Sequence, residues 1–167
     1  MIPGLSIEIL LTVHVAVSLI GIATGLVAMP ALAAGRWLGG WQAAFLITTA
    51  LTSITGFLFP FSGVTPAFLF GVISMLALAV TAATWPFRAQ RAAAGIAYAV
   101  TATLALYLNL FVLIVQSFQK VPALQPLAPT QSEPPFAIAQ LVLLLAALGV
   151  GFFAVRAARR PAVATAA

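Results

Sequence analysis

Of the 167 residues, 63% are hydrophobic and 5% are charged, against about 25% charged in a soluble domain. The shortage of charge runs the whole length of the chain and marks an integral membrane protein rather than a soluble one with an anchor. The formal net charge of +5 comes from basic residues scattered between apolar runs, which argues against nucleic acid as a partner, and the lack of cysteine excludes disulfides, thiolate metal sites and a cysteine nucleophile.

Crossing about 30 Å of hydrocarbon takes about 20 apolar residues, and in lipid such a run must be helical because unpaired backbone groups are too costly there. Five runs qualify: Ser6–Ala33, Trp41–Pro60, Pro66–Phe87, Gly95–Gln119 and Phe136–Val155. They predict an all-α membrane bundle of five spans in a single domain, residues 1–160, with a short cytoplasmic tail at 161–167.

The first run is long enough to tilt or bend, with Pro30 as the bend point. Its "PALAAG" stretch has an A-x-A pattern at Ala31 and Ala33, but the segment before the apolar run has no Lys or Arg and carries Glu8, so it reads as a retained span. Glu8 itself suits a helix N-terminus near the outer surface. On one stripe of this helix lie His14, the sole histidine, with Ser18, Gly21 and Gly25. Gly21 and Gly25 form a GxxxG pattern, which permits close helix packing and directs His14 toward protein.

The second run places Thr48, Thr52 and Thr55 on one stripe, beside Thr49, Ser53 and Gly56. On the third, Ser74, Thr81 and Trp85 align; on the fourth, Tyr98, Asn109 and Gln116 do. His14, Thr52, Ser74 and Asn109 each fall roughly 12–15 Å inside the same membrane surface at 1.5 Å of rise per residue. Gln116 and Gln140 lie nearer the mouth, which Phe59, Phe61 and the following outer loop would cover. That loop, residues 120–135, holds five prolines and reads as a stiff connector or a cap, with Lys120 and Glu133 available to pair.

The connections alternate in charge. Arg36, Arg88, Arg91, Arg156, Arg159 and Arg160 fall on one side of a five-span arrangement and Lys120 alone on the other, so positive residues inside put the N-terminus out and the C-terminus in. Trp37, Trp41 and Trp85 gather near that same inner interface.

The stretches "LTSITGFLFPF", residues 51–61, and "LAPTQSEPPF", residues 127–136, resemble small multipass proteins of the bacterial inner membrane. The resemblance implies an inner-membrane location and no activity.

Catalytic chemistry finds little support, because one histidine and two widely separated glutamates make neither a triad, a carboxylate pair nor a zinc site. Three functions are compatible with the residues. The first is binding or translocating a small neutral or weakly polar molecule through His14, Thr52, Ser74, Asn109 and Gln116, whose uncharged polar groups suit such a ligand. The second is an accessory subunit of a larger membrane complex, in which hydroxyls and glycines serve only packing. The third is a haem- or quinone-binding redox protein, in which a homo-oligomer packed on the GxxxG face pairs two copies of His14 around haem or copper. In every case the lipid bilayer is a partner.

Overall fold

The structure is a computed structural model that describes residues 6–60, 63 and 65–159. Arg160, Phe61 and the 161–167 tail lie outside the described residues. Among the described residues five helices form an all-α bundle: α1 Ile7–Ala33, α2 Gly39–Phe57, α3 Pro66–Thr84, α4 Ala92–Lys120 and α5 Pro134–Ala158. A 3-10 turn, Trp85–Phe87, extends α3.

The helix ends follow from local chemistry. Ser6 caps α1 by accepting from the Ile9 amide, and Thr65 caps α3 by accepting from the Phe68 amide. Prolines in the first turn open α3 and α5, where a missing N–H costs nothing. α1 continues through Pro30 and stops three residues later at a glycine-based cap. Gly35 takes a positive φ of 76°, its amide donates to the Leu32 carbonyl, and the Arg36 amide donates to the Ala31 carbonyl.

Four of the helices are long and apolar enough to cross a membrane: α1, α3 with its 3-10 extension, α4 and α5. α2 is not among these four, unlike its expected place as the second span. It ends at Phe57 rather than Pro60, and its interior face is polar, with Gln42, Thr49, Thr52 and Ser53 all buried. A helix whose polar side chains face protein has less need of an apolar average.

α4 is the hub and packs against the other four helices. Its inward positions are small where it meets its neighbours, with Ala99, Ala102 and Ala105 fully buried. Around them Ala28, Met29, Phe45, Leu78, Tyr98 and Leu106 close the core. α5 is peripheral, resting on α4 and α1 with only Ala154 buried. Leu141, Val142, Leu145, Leu148 and Phe152 on α5 are exposed, a surface that suits acyl chains rather than water.

The arginines gather at one end. Arg88 lies over Trp37, which joins the α1–α2 and α3–α4 connections, and Arg156 lines a cavity with Ala33 and Ala34 at the end of α1. The proline-rich connection occupies the opposite end and is folded. It has a 3-10 turn at Gln125–Leu127, Ala128 is buried, and the Gln131 amide nitrogen Nε2 donates to the Val115 carbonyl at 3.1 Å.

Glu133 pairs within its own loop rather than with Lys120: its carboxylate accepts from the Thr130 amide at 3.2 Å, the Thr130 hydroxyl at 2.9 Å and the Ser132 amide at 3.1 Å. Desolvation pushes its pKa up, but these donors outweigh it, so the carboxyl sits below its usual 4.5. A pKa lower in the folded state means the loop contact is present above 4.5 and lost as pH falls through the lowered value. Amide exchange at Thr130 and Ser132 should therefore accelerate only below pH 4.5, once the intrinsic pH dependence of exchange is divided out. A Glu133→Gln variant should show the faster exchange at neutral pH.

Candidate functional site

The polar layer resolves into pairs between neighbouring helices. His14 on α1 meets α2, with its Nδ1 2.9 Å from Thr55 Oγ1 and the Phe59 ring edge-on at 5.4 Å. The Thr55 hydroxyl lies 2.8 Å from the Leu51 carbonyl and 3.0 Å from that of Thr52. With its proton spent on those carbonyls, the imidazole is the donor from Nδ1. Asn109 on α4 donates to Thr49 Oγ1 on α2 at 3.2 Å, and Thr81 on α3 meets Thr101 on α4 at 2.7 Å. Thr52 turns its hydroxyl to the Thr48 carbonyl of its own helix. Ser74 is buried on α3, and its Oγ has no hydrogen-bond partner. Gln116 is half-buried toward the end of α4 away from the arginines, while Gln140 on α5 donates to the Phe111 carbonyl and leaves its Oε1 buried and, among the described residues, unpaired.

His14 and Asn109 thus bond to Thr55 and Thr49, which lie on and beside the expected α2 stripe, and not to Thr52. His14, Thr52, Ser74, Asn109 and Gln116 line neither of the two cavities described below.

The glycine stripe is interior. An added Cβ at Gly21 would lie 3.1 Å from Thr48 Oγ1, and one at Gly25 would lie 2.7 Å from Leu106 Cδ1 and 2.8 Å from Phe45 Cδ2. In this chain the GxxxG face of α1 packs on α2 and α4.

A second polar centre lies deep toward the arginine end. Tyr98 donates to Gln42 Oε1 at 2.8 Å, and Gln42 Nε2 donates to the Ala28 carbonyl at 3.0 Å. One buried chain of hydrogen bonds therefore ties α4, α2 and α1. Trp37 and Trp85 flank Tyr98, with ring centroids at 5.4 and 5.9 Å, and Arg88 stands 3.5 Å above the Trp37 ring. Partial burial lowers the Arg88 pKa, while Tyr98 acts in the other direction; the guanidinium stays charged and gains from the ring faces. Arg88→Ala should cost about 1 kcal/mol of stability and shift the tryptophan emission to the red, whereas Arg91→Ala should leave the emission unchanged. Sequence reading missed Gln42 altogether; its only signal was a glutamine one turn inside the tryptophan-rich interface.

The larger cavity is elsewhere. A groove of about 810 Å³ runs between α4 and α5 and is open to the outside of the bundle. Its walls are Val100, Leu104, Leu144, Leu148 and Phe152, with the small Gly151 and Ala147 leaving room at its floor. Polar groups enter at only a few points. Thr103 and Tyr107 lie along it, and Arg156 and Arg159 stand at one end. The Thr103 hydroxyl is spent on the Ala99 carbonyl at 2.7 Å. A smaller cavity of about 270 Å³, lined by Ala33, Ala34, Phe153, Arg156 and Ala157, lies on the other flank of Arg156. Among the described residues no three histidines or carboxylates come together as a metal site.

Compared with known proteins, the chain matches no family model, no curated protein and no solved structure.

Proposed function

We propose that this chain is a multi-pass protein of a bacterial inner membrane, N-terminus out and C-terminus in, that binds an amphiphilic molecule taken sideways from the bilayer. The observation that carries this reading is the α4–α5 groove, an apolar channel large enough for a small organic molecule and polar only at Thr103, Tyr107 and its arginine end. The orientation rests on the clustering of Arg36, Arg88, Arg91, Arg156 and Arg159 at one end. Native mass spectrometry of the detergent-purified protein tests the binding. Wild type should carry a bound amphiphile through detergent washing, and Leu148→Trp, which fills the groove from an exposed position, should lose it. Equal retention by both proteins would overturn this reading.

A second reading keeps the small neutral or weakly polar molecule at the polar layer. It is favoured by two buried oxygens without partners, Ser74 Oγ and Gln140 Oε1, since such atoms carry a free-energy cost that a polar guest relieves. A thermal-shift screen of small alcohols and amides on wild type and Ser74→Ala separates it from the groove. An absorption spectrum of wild type and His14→Ala, oxidised and reduced, decides whether haem is involved.

A further inference from the structure

Arg156 and Arg159 are one helical turn apart on α5, on the same face, and both line the end of the α4–α5 groove. Both are exposed. The chain has two acidic side chains, Glu8 and Glu133. Both begin helices at the opposite end of the bundle, Glu8 in the first turn of α1 and Glu133 at the cap of α5. Among the described residues no acidic side chain therefore neutralises these two guanidinium groups. Arg88, by contrast, is taken up by Trp37 and Trp85. Arg156 also borders the smaller cavity, so there is open space on both of its flanks.

The groove that leads away from the arginines is apolar and of suitable length. From Leu144 to Arg159 it follows α5 for about 22 Å at 1.5 Å per residue, which exceeds one leaflet's share, about 15 Å, of the hydrocarbon core. Paired cations at the membrane surface and an apolar trough beneath them complement an anionic head carried on an acyl chain. Guanidinium groups hold phosphate through paired, charge-assisted hydrogen bonds, and basic pockets at helix ends on the cytoplasmic side suit anionic lipid heads.

Resting on the reading of the groove as a ligand site, we propose that its occupant is an anionic phospholipid of the arginine-side leaflet, with its phosphate on Arg156 and Arg159 and one acyl chain along α4 and α5. Tyr107 lies too deep for the head group and lines the path of the chain. Thr103 and Gly151 face each other across the floor, where a Cβ on Gly151 would lie 3.4 Å from the Thr103 methyl carbon.

The test uses the full chain in nanodiscs and in native mass spectrometry, with phosphatidylglycerol and phosphatidylcholine of identical acyl chains as probes. Phosphatidylglycerol should be retained at least tenfold more strongly than phosphatidylcholine. The double variant Arg156→Gln, Arg159→Gln should abolish that preference while leaving residual binding of both lipids. Leu148→Trp should weaken both lipids together. Equal retention of the two lipids by wild type, unchanged in the arginine variant but reduced in Leu148→Trp, would overturn the head-group assignment and leave the groove intact as a site. Binding sensitive to the arginines but not to Leu148→Trp would mean surface attraction alone and overturn the proposal. Insensitivity to every variant would overturn the groove reading as well. Arg36→Gln, at the same end but on the α1–α2 connection, controls for general loss of positive charge and should leave the preference in place.

Discussion

Replacing Gln42 with leucine should destabilise the bundle by about 2 kcal/mol, the middle of the range for a buried polar group left without its partner. Interhelical hydrogen bonds in membranes average only about 0.6 kcal/mol, because the separated helices find other partners. Tyr98 has less freedom than that average assumes. Its side chain is 1% exposed and its ring is fixed between Trp37 and Trp85, so its hydroxyl cannot turn to another acceptor when Gln42 Oε1 is removed. The Ala28 carbonyl suffers less, since it keeps its place in the α1 backbone ladder. Tyr98→Phe should cost less than Gln42→Leu, because the amide left behind still donates to Ala28. The two changes together should cost clearly less than their sum, since the second removes the group that the first left unpaired. Reversible unfolding in mixed detergent micelles measures all four proteins. A Gln42→Leu cost below about 0.5 kcal/mol, or strict additivity, would show that the chain of bonds from α4 through α2 to α1 is not coupled.

What could be read in the sequence and what could not divide along one physical line. Properties of a single helix were legible: α1 begins at its Ser6 cap and α3 at Pro66, and the charge alternation places Arg36, Arg88 and Arg156 at one end. Properties of pairs of helices were not, because phase gives a stripe but not its neighbour. His14 was placed on the stripe of Gly21 and Gly25, yet its partner Thr55 is known only once α2 is laid against that stripe. Gln42 escaped notice for the same reason. Alone it is a polar residue at an interface; with Tyr98 from 56 residues downstream it is the centre of a buried network. The groove is further still from the sequence, since a trough between α4 and α5 depends on small residues at Ala147 and Gly151 meeting a particular face of α4. The shortened, polar α2 is the converse lesson. Its polar side chains lie on the face packed in the bundle while Trp41, Ile47, Leu51 and Ile54 are exposed, and a hydropathy count alone reads it as a weak span.

The tightness of the α1 stripe supplies the second large effect. Gly25→Val should cost about 3 kcal/mol, at the upper end of what overpacking a filled core usually costs. The first added carbon would already stand 2.7 Å from Leu106 Cδ1 and 2.8 Å from Phe45 Cδ2. Leu106 can turn its methyl away, but Phe45 is fully buried and wedged among Ala28, Met29 and Ala102, so its ring has nowhere to go. A branched side chain also loses rotamer freedom on a helix, which removes the usual propensity gain of replacing glycine. Gly149→Ala on α5 is the matching control. Nothing lies within 4 Å of an added Cβ there, so the helix-propensity gain of up to about 1 kcal/mol should appear undiminished. The contrast separates two reasons for glycine in a membrane helix: at Gly25 the neighbouring helix needs the space, while at Gly149 the chain itself does not. If Gly25→Val unfolds no more easily than wild type while Gly149→Ala is destabilised, α1 does not sit against α2 and α4 as described, and the partners assigned to His14 and Gln42 fall with it.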